Sequence, residues 1–308
     1  MLRRALNLLR ADNNIFRLVH GEGDRLPGLI VDIYGETAVM QAHSVGMHYA
    51  RHQIAQSLQR VLGESVAQVY YKSETTLPYK ANLDELDGPL LGGVSKNNVA
   101  VENNLRFHID WLRGQKTGFF IDQRENRLLL QRYSNKRHVL NMFCYTGGFS
   151  VYALRGGAQE VVSVDSSAKA IDLTNANVAL NYPNCDHHKA YAEDAFKFLD
   201  KADDTFDLIV LDPPAFAKHK EAVRNALKGY TRLNMQAMRK IKSGGIIFTF
   251  SCSQAISKDQ FRLAVFTAAA QSGRYVRILH QLHQPADHPV NIYHPEGEYL
   301  KGLVLEII

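Results

Sequence analysis

Apolar residues change their spacing once along this chain, and the change separates two kinds of structure. Before residue 95 the runs are short and alternate with polar positions. Phe16-Arg17-Leu18-Val19 reads as a strand, and the turn formers His20 to Gly28 follow it. Leu29 to Tyr34 and Thr37 to Ala42 flank Gly35-Glu36, which predicts a hairpin. Met47 to Leu62 has helical apolar spacing, and Val66 to Tyr71 is a β-branched and aromatic strand. A second hairpin is expected over Asn98 to Leu112, with strands Val99–Glu102 and Leu105–Asp110 joined at Asn103-Asn104. After Gln115, continuous apolar runs alternate with helical patterns. Strands are expected at 138–141, 160–164, 189–191, 206–211, 245–250 and 275–280, with helices such as 168–180 and 230–241 between them. That alternation implies α/β architecture: a mainly parallel twisted sheet, Rossmann-like, with helices on both faces. Ligand sites in such sheets lie beyond the strand C-termini. Met1 to Arg10, basic and apolar, reads as a helix of the fold, since it lacks the apolar core and cleavage site of a signal peptide.

Composition narrows the class. The chain has 308 residues, 45% of them apolar, enough for two domains with real cores. Three cysteines without metal spacing suit a reducing cytoplasm better than a disulfide framework. The histidines are scattered, so no metal is expected. No long uncharged apolar run predicts a membrane span. A net charge of +5 and a pI near 9.0 suit a phosphate-rich partner.

The candidate chemistry follows the strands. Tyr145-Thr146-Gly147-Gly148 leaves one strand and opens a helix, and glycines there let backbone approach a ligand. Asp165, followed by Ser166, ends the next strand, where a carboxylate can accept from a ribose diol. Asp194 follows the third strand and is placed to hold an adenine amino group, with Ala195 and Phe196 supplying apolar contact. Nicotinamide and adenosylmethionine folds both offer such carboxylates. The turn lacks the full Gly-x-Gly-x-x-Gly that cradles pyrophosphate, which disfavours an oxidoreductase. Lys116 to Arg127, carrying Phe119, Gln123 and Arg124, precedes the first of these strands. It reads either as a cover for the methionine end of the cofactor or as a capped helix with exposed arginines.

Two further segments carry reacting groups. Cys252, in Phe250-Ser251-Cys252-Ser253, stands just past an apolar strand. A thiolate there suits addition to carbon 6 of a pyrimidine, which makes carbon 5 nucleophilic enough to take a methyl group. Asp212 opens Asp212-Pro213-Pro214-Ala215-Phe216. It can supply a proton at ring nitrogen 3, while Pro213 and Pro214 stiffen the loop and Phe216 can stack on a base. Cys144 is expected to be packing, and Cys185 incidental.

These segments, with His20 to Leu29 and the tail Pro295 to Gly302, resemble the bacterial large-subunit rRNA cytosine-5 methyltransferase I family over nearly the whole chain. The resemblance implies a class I methyltransferase domain, S-adenosylmethionine, a cytosine of 23S ribosomal RNA as substrate and often a homodimer. It places the nucleophile on Cys252 and the Asp-Pro-Pro loop, which also borders the cofactor, on Asp212. On this reading residues 1–95 form a small α+β RNA-recognition domain, and 96–308 the linking hairpin and methyltransferase domain. Family members usually begin with a PUA domain, and this chain starts at what looks like the module after it. Where many RNA cytosine-5 methyltransferases carry a second cysteine after Pro-Pro, this chain has Ala215, so another base must drive enzyme release. A uridine-5 methyltransferase is the nearest rival, although its Ser-Cys-Asn-Pro pattern is missing. An RNA-binding module without catalysis is the rival from another class.

Overall fold

The central strands of the larger sheet carry mostly apolar side chains on both faces, so burial fixes their register as well as their existence. In the computed structural model, which describes residues 2–78, 83–84, 86–93, 98–202, 205–217 and 219–308, the chain divides into two units. The first comprises Met1–Asp122 and Pro285–Gly297, and the second Gln123–Gln284 and Glu298–Ile308. The boundary read from the sequence at 95/96 falls outside the described residues. The linking hairpin, β6 (Val99–Glu102) and β7 (Leu105–His108), belongs to the first unit.

The first unit holds a five-stranded sheet in the order β1-β2-β3-β4-β5: Ile15–His20, Leu29–Tyr34, Thr37–Ala42, Gln68–Lys72 and Asp87–Leu91. β2 and β3 form the expected hairpin, and β3 pairs parallel with β4. The crossover between those two contains α2 (Val45–Tyr49) and α3 (Arg51–Leu62), where one helix was expected over 47–62. The expected helix over residues 1–10 is only one turn, α1 (Leu2–Ala5), because Asn7 turns left-handed at φ 50°. Ala55 and Leu58 of α3 pack on Val31, Ile33, Met40 and Val69.

A charged cluster lies in the same unit. Arg17 grips Asp32 at both oxygens (2.7 and 2.9 Å), and Asp32, fully buried, also accepts from the Thr117 hydroxyl at 2.6 Å. Arg3 grips Asp24 at 2.6 Å through two nitrogens and donates to the Asp287 carbonyl. Asp287 accepts from the Arg17 backbone N–H at 3.0 Å. Residues 285–297 are thus bound into the first unit by a buried polar network, which local spacing does not reveal.

The second unit holds a seven-stranded sheet in the order β10-β9-β8-β11-β12-β14-β13. The strands are β8 (His138–Met142), β9 (Glu160–Asp165), β10 (His188–Ala192), β11 (Leu208–Leu211), β12 (Gly245–Ser251), β13 (Val276–Leu282) and β14 (Lys301–Ile307). The first five pair in parallel, and β14 runs antiparallel between β12 and β13. Alternate residues serve opposite faces. Val139, Val161, Leu208, Val210, Phe248 and Val304 meet Leu130 of α4 (Arg124–Tyr133) and Phe149 and Ala153 of α5 (Gly148–Arg155). Leu140, Val162, Ile209, Leu211 and Ile247 meet α7 (Ala195–Lys201), α8 (Val223–Lys240) and α9 (Lys258–Ser272). α6 (Ala168–Asn181) packs on β9 and β10. The structure agrees with the α/β, Rossmann-like architecture expected from the alternation.

His20 in the charged cluster titrates unusually. Burial and the Arg17 charge pull it down to about 2. Arg17 donates to its Nδ1 at 3.1 Å, and a guanidinium can only donate, so that nitrogen carries no proton. His288 is buried and also lowered. A histidine held neutral in the folded state loses stability as pH falls below its unfolded value near 6.5, because only the unfolded chain takes the proton. Urea unfolding at pH 5.5 should therefore show about 1 kcal/mol less stability than at pH 7.5 on account of His20 alone. His20→Gln should flatten that dependence by the same amount, and an unchanged slope would exclude His20 as the source.

Candidate active site

Five parallel strands end at one edge of the sheet, and every sequence-predicted site residue of the second unit but two lies just beyond it. The exceptions are Gln123 and Arg124, which precede and open α4. After β8 the backbone twists through three left-handed residues in five: Phe143 (φ 57°), Tyr145 (φ 48°) and Gly147 (φ 74°). Two of these carry side chains, so the turn is strained and must be held from outside. α6 holds it. Thr174 donates to the Tyr145 carbonyl at 2.9 Å, and Asn177 donates to the Thr146 carbonyl at 2.8 Å. Both anchors are fully buried. Their spacing of three puts them on one helix face, a signal that the sequence reading missed. Asp165, at the end of β9, accepts from the Tyr145 N–H at 3.0 Å and from the Ser167 N–H at 2.9 Å.

Gly147 has a packing reason that its motif does not show. A Cβ there would lie 2.7 Å from Thr174 Cγ2, so the missing side chain makes room for the anchor. Cys144 is buried against the Thr174 hydroxyl at 3.6 Å, and burial pushes its thiol up to about 12. It is packing, as expected. Ser166 is exposed beside Asp165. Asp194 caps α7, accepting from the Lys197 N–H at 3.0 Å, and Ala195 behind it is buried.

Of the two readings of the Lys116 to Arg127 run, the capped helix with exposed arginines does not hold. Arg124 and Arg127 are buried, not the exposed arginines of a simple capped helix. Arg127 passes over Gly148, and Arg124 pairs with Glu125. Gln123 is buried too. Its amide takes a bond from Asn126 at 2.7 Å and donates to Asp212 Oδ2 at 3.1 Å. Phe119 lies in the first unit, where it packs against Phe107 with ring centroids 5.0 Å apart.

β11 and β12 bring together the two segments expected to react. Cys252, half-buried, directs its sulfur at the Pro213 carbonyl, 3.9 Å away. Pro213 is buried and Pro214 exposed. Phe216 has Tyr230 4.7 Å from one side and Gly229 beneath it. Ser253 then ties the two loops: its hydroxyl oxygen accepts from the Ala217 N–H at 3.3 Å and lies 3.1 Å from the Tyr230 hydroxyl. No sequence motif had marked Ser253 or Tyr230 for this. Among the described residues no group of three His, Cys, Asp or Glu side chains could hold a metal ion, and no helix is long and apolar enough to cross a membrane.

The sequence pattern of S-adenosylmethionine-dependent methyltransferases matches residues 80–297. The chain is 40% identical over 310 aligned residues to the ribosomal RNA large subunit methyltransferase I of Tolumonas auensis, covering 99% of this chain and 78% of the relative. It is 38% identical to the protein of that name from Escherichia coli, covering 96% of this chain and 75% of the relative. The chain belongs to the ribosomal RNA large subunit methyltransferase I family. Its fold also matches a Streptococcus mutans protein assigned as a SAM-dependent methyltransferase, with TM-score 0.84 at 23% identity over 99% of this chain and 78% of the other. The Methanocaldococcus jannaschii tRNA m1G37 methyltransferase shares the fold more distantly, with TM-score 0.61 at 18% identity over 94% and 79% of the two chains. Family membership settles the choice of cofactor between nicotinamide and adenosylmethionine in favour of the latter.

The turn geometry yields a stability test. Gly147→Ala should cost about 2–4 kcal/mol, combining left-handed strain with overpacking. In a Thr174→Ser background, where Cγ2 is gone but the bond to Tyr145 can persist, the same change should cost about 1 kcal/mol less. Equal costs in both backgrounds, measured by urea unfolding, would show that Thr174 is not what excludes the side chain.

Proposed function

We propose that this chain methylates carbon 5 of a cytosine in large-subunit (23S) ribosomal RNA through a covalent adduct to Cys252. The approach of the Cys252 sulfur to the Asp212-Pro213-Pro214 loop carries this reading. It joins a nucleophile to a carboxyl group at the edge where class I sheets bind ligands. The names of the relatives and the net charge of +5 support an RNA substrate.

The residues present fit adenosylmethionine. Each Asp165 oxygen takes one backbone N–H, which leaves lone pairs for a ribose diol. Tyr145, Thr146 and Gly147 present the fixed backbone beside it, with Ser166 at the rim. Asp194 and Ala195 suit the adenine, and Gln123 and Arg124 the methionine end. When bound, the cofactor supplies an electrophilic methyl group.

The protein's part is to make carbon 5 of the base a nucleophile. Cys252 adds to carbon 6 as a thiolate, and the electrons released into the ring are met by a proton at nitrogen 3. In this reading Asp212 gives that proton, and Gln123, which donates to its Oδ2, orients the carboxyl group. Pro213 and Pro214 offer carbonyls without competing N–H groups and hold the loop stiff. After methylation, loss of the carbon 5 proton expels Cys252. Ala215 has no group that can take that proton, so the base lies elsewhere.

Incubation with labelled adenosylmethionine and unmodified ribosomal RNA, followed by nucleoside analysis, should yield 5-methylcytidine. Cys252→Ala should abolish transfer while leaving the affinity for adenosylmethionine within about twofold, since the thiol acts on the base. RNA with 5-fluorocytosine at the target should trap the wild-type chain, because fluorine cannot leave as a proton does. Cys144→Ala should still be trapped. Methylation by Cys252→Ala at the wild-type rate, or 5-methyluridine as product, would overturn the proposal.

A further inference from the structure

Lys301 is a buried cation with no carboxylate in ion-pairing reach among the described residues. It opens β14, directly opposite Ser251 at the end of β12, and is 4% exposed. Its ammonium donates to the carbonyls of Ser253 and Ile256, both at 2.7 Å. Among the described residues no carboxylate lies within ion-pairing distance of it. The nearest acidic influence, Glu298, is paired with Lys258 on the exposed side. An ammonium out of water without a counter-ion is costly, and a structural tether to two carbonyls needs no charge. Methionine would fill the space, and glutamine would make the same bonds.

We propose that Lys301 is a positioning residue for Cys252, whose thiolate is the counter-ion that the buried ammonium lacks. The inference rests on the reading of Cys252 as nucleophile and adds the group that makes its thiol reactive. Both carbonyls gripped by Lys301 belong to the segment that carries the sulfur. One cation therefore fixes that segment and sets a positive charge beside the sulfur, the environment in which thiols ionise readily.

The charges around Lys301 agree with this. Burial pulls its ammonium down to about 8, the Cys252 charge raises it most, Glu298 raises it less, and Lys258 lowers it. Tyr230, which is also coupled to Cys252, is itself pushed up by burial and stays neutral. The ammonium and the thiolate thus support each other near neutral pH. Above about pH 8 the lysine loses its charge and the support fades.

Alkylation by iodoacetamide, read at the Cys252 peptide by mass spectrometry across pH 5.5 to 10, tests the assignment without RNA or cofactor. Wild-type Cys252 should react with a midpoint below that of free cysteine, about 8.5. Lys301→Gln keeps the two hydrogen bonds but not the charge. It should react about tenfold more slowly at pH 7, with its midpoint about one unit higher, and Lys301→Met should match it. Lys301→Arg should stay within about twofold of wild type. A Lys301→Gln profile superposed on wild type would reduce Lys301 to a tether and overturn the proposal. So would a wild-type midpoint at or above the free-thiol value, which needs no variant to fold. Loss of methyl transfer with the alkylation pattern intact would instead count against the cytosine reading alone.

Discussion

The parallel pairing of β11 with β12 is the constraint on which the site depends. Leu208 to Leu211 lie beside Ile246 to Thr249, and every residue in both strands is buried. A slip of one residue would reverse which side chains face α8 and α9 and which face α4 and α5, so neither strand can move without emptying two cores. Because the strands run the same way, both leave the sheet at the same edge. Asp212 follows one directly and Cys252 the other. Hydrophobic burial of the two strands thus brings the segments that carry Asp212 and Cys252 to one place.

At that edge the chain has few backbone partners left, and polar side chains take over. The strained turn after β8 is held by Thr174, Asn177 and Asp165. The Cys252 segment is held by Ser253, Tyr230 and Lys301. The two sets work alike. Each satisfies backbone groups that the sheet no longer pairs, and in each the buried anchors Thr174, Asn177 and Tyr230 had no part in the expected motifs. Hydrogen bonds in a water-poor setting are costly to leave unmade, so such anchors fix a loop more firmly than apolar contact would.

How much was legible follows from the range of the interactions. Strands β8, β9, β11 and β12 were visible because burial on two faces leaves an apolar run in the sequence. The hairpins at Gly35-Glu36 and Asn103-Asn104 were visible because left-handed turns restrict residue type, and Asn103 and Asn104 do take φ 49° and 64°. β14 was missed: its apolar run was there, but it enters antiparallel between two strands that the βαβ alternation had made neighbours. α8 begins seven residues before the expected start at 230. Its first turns are polar, and Gly229 lies inside the helix and accommodates Phe216. The return of 285–297 to the first unit left no local signal, since Arg3 and Arg17 recognise Asp287 across most of the chain.

Among the predicted site residues, the structure shows packing and capping duties that the motifs did not reveal. Gly147 serves the Thr174 anchor, Asp194 caps a helix, and Asp165 builds the turn that it flanks. None of these structural duties excludes a ligand, because a carboxylate has about four acceptor positions and the bonds seen here occupy only some of them. A carboxylate already fixed by backbone N–H groups loses no rotamer freedom when a ribose arrives, which makes binding less costly. On the proposed reading these duties prepare the site: backbone bonds made within the protein orient the Asp165 and Asp194 oxygens and leave lone pairs that a cofactor can use.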